Sequence, residues 1–304
     1  MSDLAGPCQP ADLTDDVVRR PTRGLVDHDD AGRNDSTGQC PASPPASTAS
    51  ILDVRIVRSR NRPTGGGSDN LTGRDGDDDI IRPRKGEDET FDFGPGDDTV
   101  NYGAMYGSGI HLDLAAETSS GAAGDDTLRD VENVCGSNGD DVLLGSDAAE
   151  RLEGWDGDDV VNGMGGDDVI EDTWGSGEVL GGSGNDRVVL NWVGGYAYDG
   201  VDTLDARALF VDEGESFVID VAGGQITNPE SAAATGIENV IGQLGRDVLR
   251  GDAARNELIG GDGADRLIGR DGNDVLTGGP GADNADGGPG SDSCTAETVT
   301  NCEG

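Results

Sequence analysis

Apolar residues in this chain keep neither the two-residue alternation of a surface strand nor the 3.6-residue period of a helix. They return every ninth position, two places after an acid. From Gly242 the chain reads GQLGRDVLR, GDAARNELI, GGDGADRLI, GRDGNDVLT, GGPGADNAD and GGPGSDSCT, six nonapeptides in register. A second unbroken run of six begins at Gly136. The template is Gly-Gly-x-Gly-x-Asp-x-U-x, with U apolar. Glycine at positions one, two and four allows a tight turn, so the first six residues bend the chain. Positions seven to nine predict a short strand whose middle side chain points inward. One unit cannot bury its own apolar residue, so units must stack, two to a coil, with strands on opposite sides. The predicted class is all-β, a β-solenoid of nonapeptide repeats.

The expected inward set is Leu71, Ile80, Val100, Leu128, Leu143, Leu152, Val161, Ile170, Val179, Val188, Leu204, Leu249, Leu258, Leu267 and Leu276, fading to Ala285 and Cys294 at the end. The pattern occurs as two duplicated cassettes, about 106 residues apart. Gly96-Asp97-Asp98-Thr99-Val100 answers to Gly200-Val201-Asp202-Thr203-Leu204, Ile110–Leu114 to Phe217–Val221, and Val131-Glu132-Asn133-Val134 to Ile237-Glu238-Asn239-Val240. The insertions therefore belong to the array, as strands that continue the stack beside longer loops. Residues 1–50 are polar, unperiodic and rich in Pro and Ser at their end, which predicts a disordered N-terminal tail and linker. Residues 51–189 then form the first cassette, with Ile51–Val57 as a capping strand, and residues 190–304 the second, with a C-terminal cap.

Composition sharpens the picture. Glycine is 52 of 304 residues, aromatics are 4%, and 61 acidic against 21 basic residues give a formal charge of −40. Such a chain repels itself unless something cationic neutralises it. Nucleic acid and anionic membrane surfaces are excluded as partners, because phosphate would be repelled. No stretch reaches the roughly 18 apolar residues of a membrane span, and the opening MSDLAGPCQPADLTDD holds no apolar signal region. Stacked turns bring their acids into two columns, one on each edge. Carboxylates and turn carbonyls are hard oxygen ligands that suit Ca²⁺ better than Mg²⁺, which demands a stricter octahedron. Zinc is disfavoured, since histidine occurs only at His28 and His111. The second acid of many units (Asp97, Asp125, Asp140, Asp158, Asp167) either adds a ligand or strengthens the local negative field. Trp155, Trp174 and Trp192 are read as scattered packing residues.

From about residue 64 to 295 these units resemble the haemolysin-type (RTX) calcium-binding nonapeptide repeat. The resemblance implies a parallel β-roll with multiple calcium ions held between turns by the position-six Asp and turn carbonyls. Carried over by position, the metal ligands are Asp69, Asp78, Asp98, Asp126, Asp141, Asp159, Asp168, Asp186, Asp202, Asp247, Asp265, Asp274, Asp283 and Asp292. Position six is instead Glu150, Gly177 and Asn256 in three units, and Ala148 and Ala254 replace the position-four glycine in two, so weak or absent sites are expected there. The stretch Asp292–Glu303 resembles the termini of secreted members of the family. Five cysteines suggest the pairs Cys8–Cys40 and Cys294–Cys302 in an oxidising compartment, with Cys135 left over as a small buried hydrophobe.

The leading functional expectation is a non-enzymatic, calcium-binding structural module that folds on Ca²⁺ and works in the extracellular space or at the cell surface. Two other classes stand beside it. One is an adhesin or surface-layer component presenting the inserted loops. The other is the repeat portion of a secreted hydrolase or epimerase. No nucleophile elbow, phosphate loop or metalloprotease histidine motif accompanies the repeats.

Overall fold

The computed structural model describes residues 70–72, 90–103, 108–121, 124–172, 174–175, 177–190, 196–199, 202–207, 217–228 and 230–303. All of them fall within one compact unit, Ile51–Gly304. The expected tail over 1–50, the capping strand Ile51–Val57, the candidates Asp69 and Asp78 and the pair Cys8–Cys40 lie outside the described residues.

Every regular element among the described residues is a strand. The strands fall where the template puts them: Val248–Arg250, Glu257–Ile259, Arg266–Ile268, Val275–Thr277, Asn284–Asp286 and Ser293–Thr295 each occupy positions seven to nine of a unit. Alternate units feed opposite sheets, one of sixteen strands and one of ten. Within a sheet, partners are 18 residues apart, so Leu258 stands beside Leu276 and Leu249 beside Leu267. The result is a parallel β-solenoid.

The ten-stranded sheet is parallel throughout. The sixteen-stranded sheet reverses twice at each insertion. Ile110–Asp113 pairs antiparallel with Thr118–Gly121, which pairs antiparallel with Asp126–Arg129. In the second cassette Val218–Asp220, Gln225–Asn228 and Glu230–Ala234 repeat the arrangement. The strands expected at Ile110–Leu114 and Phe217–Val221 are present, but each brings an antiparallel meander that the period did not announce.

The inward residues whose side chains are described are buried from Val100 to Ala285, at 2% exposure or less, and Cys294 at the end of the set is half-buried. They stack into a single cluster that runs through both cassettes. Phe91, Phe93, Tyr102 and Phe217 join it beside the insertions. The outward rule fails on one face. Position-nine residues Glu153, Glu171 and Asp205 of the ten-stranded sheet are buried. Arg151 pairs with Glu171, and Arg187 and Arg207 both pair with Asp205. Burial pushes Glu153 up to about 7 against the opposing pull of Arg151.

Cys294 and Cys302 form the expected disulfide, with Cα atoms 5.9 Å apart. Cys135 is also disulfide-bonded, so the expectation that it is left over is corrected.

Candidate metal centre

Each strand starts one residue after its acid, so strand register sets acid register. In the ten-stranded sheet Thr99, Asn133, Arg151, Val169, Arg187 and Thr203 are successive partners. The residues before them, Asp98, Glu132, Glu150, Asp168, Asp186 and Asp202, therefore form a column. It continues through Glu238, Asn256, Asp274 and Asp292. On the opposite edge the column is broken by the insertions. Asp141 and Asp159 stack and then meet Gly177. Asp247, Asp265 and Asp283 stack and end at Glu297. Glu132 and Glu238 are column members that the template did not identify. Their signal was the duplicated Glu-Asn-Val, where Glu takes position six immediately before a strand.

The acids are buried. Asp98, Asp126, Asp141, Asp159, Asp168, Asp186, Asp247, Asp265, Asp274, Asp283 and Asp292 expose 2% or less, and Asp202 is half-buried. One carboxylate oxygen of each has a repeating task. Oδ1 of Asp159 accepts the backbone N–H of Asp141 at 2.8 Å, and Oδ1 of Asp168 that of Glu150 at 2.8 Å. Asp265, Asp274, Asp283 and Asp292 do the same for Asp247, Asn256, Asp265 and Asp274 at 2.8–2.9 Å. Asp202 accepts from Asp186 at 2.7 Å, and Glu132 from Asp98 at 2.9 Å. Asp126 stands apart from these columns, at the end of a hydroxyl chain in which Tyr102 donates to Ser119 and Ser119 to Asp126.

The second oxygen divides the turns into two kinds. In four units the backbone N–H at position two caps the position-six side chain. Ser137 donates to Asp141 at 2.6 Å, Ser146 to Glu150 at 3.3 Å, Gln243 to Asp247 at 2.9 Å and Asp252 to Asn256 at 2.8 Å. Asn256 also donates its amide Nδ2 to the carbonyl of Glu238 at 3.0 Å. These four are the first two units of each long run. In the other described units of the two runs, position two is Trp155, Met164, Gly182, Gly261, Arg270, Gly279 or Gly288, all with φ between 72° and 110°. That conformation turns the N–H away; Gly261 donates to the carbonyl of Gly278 in the next coil at 3.0 Å. The Oδ2 atoms of Asp168, Asp186, Asp265, Asp274, Asp283 and Asp292 are then buried and accept no hydrogen bond.

What these oxygens face is set by the position-one glycine. A Cβ added to Gly260 would lie 2.5 Å from Asp265 Oδ2 and 2.6 Å from the Gly278 carbonyl oxygen. A carboxylate oxygen without a hydrogen bond and a carbonyl oxygen thus share one small space, an arrangement that a cation between them satisfies. The electrostatics agree. Burial, with neighbouring acids adding to it, pushes Asp168 up to about 7 and Asp265 up to about 6. Burial likewise raises Asp186 and Asp274. Among the described residues no three His, Cys, Asp or Glu side chains gather into a metal-binding group. Carbonyl oxygens such as that of Gly278 stand beside the acids, and an all-oxygen donor set suits a hard cation such as Ca²⁺.

The position-five acids have a different task. Asp140 Oδ1 accepts the N–H of Asp158 at 3.0 Å, and Asp167 Oδ1 that of Asn185 at 2.9 Å, so they tie successive coils on the exposed side.

Residues 136–170, 233–267 and 259–294 match a family profile described as the RTX calcium-binding nonapeptide repeat, in four copies. The chain carries RTX calcium-binding repeats. RTX repeats of this kind form structural β-roll modules that bind Ca²⁺, and the donor set found here fits that ion. Asp168, Asp265 and Asp274 share their space with the carbonyls of Gly181, Gly278 and Gly287, and an ion bound there would supply positive charge where the buried acids lack it. No curated protein matches the RTX chain. No helix among its described residues is long and apolar enough to cross a membrane.

Proposed function

We propose that the open turns hold calcium ions, that ion binding drives the array to fold, and that the folded roll is a structural module acting outside the cell or at its surface. One observation carries this reading: six buried Oδ2 atoms that accept no hydrogen bond, each ending a turn whose position-two N–H points elsewhere. Without a cation, every such atom opposes folding through desolvation and repulsion. With it, each site contributes RT ln(1 + [Ca²⁺]/Kd), about 2.7 kcal/mol at a hundredfold excess over Kd. Sites of modest affinity then stay empty in a low-calcium cytosol and fill outside it. The acids of the capped turns, Asp141 and Asp247, serve in this scheme as turn-capping groups, and Asp126, Asp159 and Asp202 as inter-coil or core hydrogen-bond acceptors that, with Asp98, can add to the field around the ions.

Far-UV circular dichroism during a Ca²⁺ titration, with Mg²⁺ as control, tests the proposal. The expected result is a cooperative, calcium-selective gain of β signal. A chain already fully β and heat-stable in chelator would overturn it.

A further inference from the structure

The turn that ends at Asp292 is followed by residues 296–304, which do not carry the Gly/Asp template. Oδ1 of Asp292 accepts the N–H of Asp274 at 2.9 Å, while its Oδ2 is buried without a partner. In earlier turns the opposing carbonyl comes from the position-one glycine 18 residues on, as Gly154 does for Gly136 and Gly278 for Gly260. After Gly287 the strand expected on that side is replaced by Thr298–Thr300. The structure nonetheless puts a carbonyl there. A Cβ on Gly287 would lie 2.6 Å from Asp292 Oδ2 and 2.5 Å from the carbonyl oxygen of Asn301.

Asn301 arrives by a route without the Gly/Asp motif. Thr298–Thr300 pairs with Asn284–Asp286 as a substitute strand, 14 residues on instead of 18. The Gly287 N–H donates to the Thr300 carbonyl at 3.1 Å. Asn301 then turns with φ 51°, a left-handed conformation that Asn tolerates best after Gly, and its Nδ2 donates to Asp286 Oδ1 at 2.8 Å. The next residue, Cys302, is bonded to Cys294 at position eight of the final repeat. The Glu303 N–H donates to the Asp292 carbonyl at 2.9 Å, and its side chain accepts from Ser291 at 3.0 Å. The disulfide thus clamps a non-repeat segment over the last acid.

We propose that Asp292 Oδ2 and the Asn301 carbonyl form a terminal divalent-cation site, closed by the Cys294–Cys302 disulfide and not by a further repeat. It rests on the calcium reading of the array but adds its own claim: the end of the roll is metallated, and the disulfide pre-organises that metallation by holding Asn301 in place.

The experiment is calcium binding by equilibrium dialysis and calorimetry on the full chain, with three variants. Asp292→Asn should bind one ion fewer. Cys294→Ala with Cys302→Ser should bind one ion about tenfold or more weakly, the expected result of losing a pre-organised ligand, and leave the other ions unchanged. Adding Asp292→Asn to that pair should then remove the weakened ion and no other. Equal stoichiometry and affinity with and without the disulfide would overturn the terminal site while leaving the array's calcium binding intact. Loss of every ion on removing the disulfide would also overturn it, since the clamp would then serve the whole fold. A wild-type chain that binds no calcium would sink the underlying reading instead.

Discussion

A single acid at position six has two oxygens with separate tasks, and only one task is structural. Oδ1 ties a coil to its predecessor through a backbone N–H, as Asp265 does for Asp247. In the open turns Oδ2 accepts no hydrogen bond, and it is the atom we propose for the ion. The consequence is a defined pH response. Asp168 and Asp265 are raised by burial to about 7 and about 6, and Asp186, Asp247 and Asp274 are raised as well. A carboxyl whose folded pKa lies above its unfolded value stabilises the metal-free fold below the unfolded value, roughly 4, and loses that contribution as pH rises through the folded value. The chelated chain should therefore gain β structure on acidification from about pH 8 to about pH 5. Protons and calcium compete for the same oxygens, so the calcium midpoint should fall as pH rises across that range. Circular dichroism at fixed ionic strength reads both, and a midpoint independent of pH would contradict the assignment.

At the scale of the turn, the choice is made at position two. Where its N–H caps the acid, the turn is complete without metal; where positive φ turns the N–H away, an oxygen is left over. Asn256 tests the rule. Asn256→Asp restores the template acid, yet the Asp252 N–H still caps that position. The calcium stoichiometry by calorimetry should therefore stay unchanged, whereas a simple motif count predicts one more ion. Gly260→Ala should act oppositely, because the new methyl falls 2.5 Å from Asp265 Oδ2. That variant should lose an ion and need several-fold more calcium to fold. The fading expected at Glu150 and Asn256 matches capped turns, but the template did not separate Asp141 or Asp247 from the open set. Their acids fit the motif, and only the backbone of Ser137 and Gln243 distinguishes them.

Over the whole array, a one-residue-wide core makes each layer depend on its neighbours. Leu258 stands between Val240 and Leu276 and is fully buried. Leu258→Ala should cost about 2–5 kcal/mol, seen as a higher calcium midpoint and a broader transition as the stack divides into weakly coupled halves. The sequence by itself determined the period, the inward residues and the presence of acid columns, because a nine-residue register admits one way of stacking side chains. It also marked the Cys294–Cys302 pair. The tertiary structure decided the rest. It brought Glu132 and Glu238 into a column across the insertions, turned each insertion into an antiparallel meander, and buried Glu153, Glu171 and Asp205 on a face that alternation leaves to solvent. It also sorted the acids into capped and open, and it set Asn301 over Asp292. These depend on backbone direction and on which chain segment lies alongside, and a local pattern of residue types holds neither.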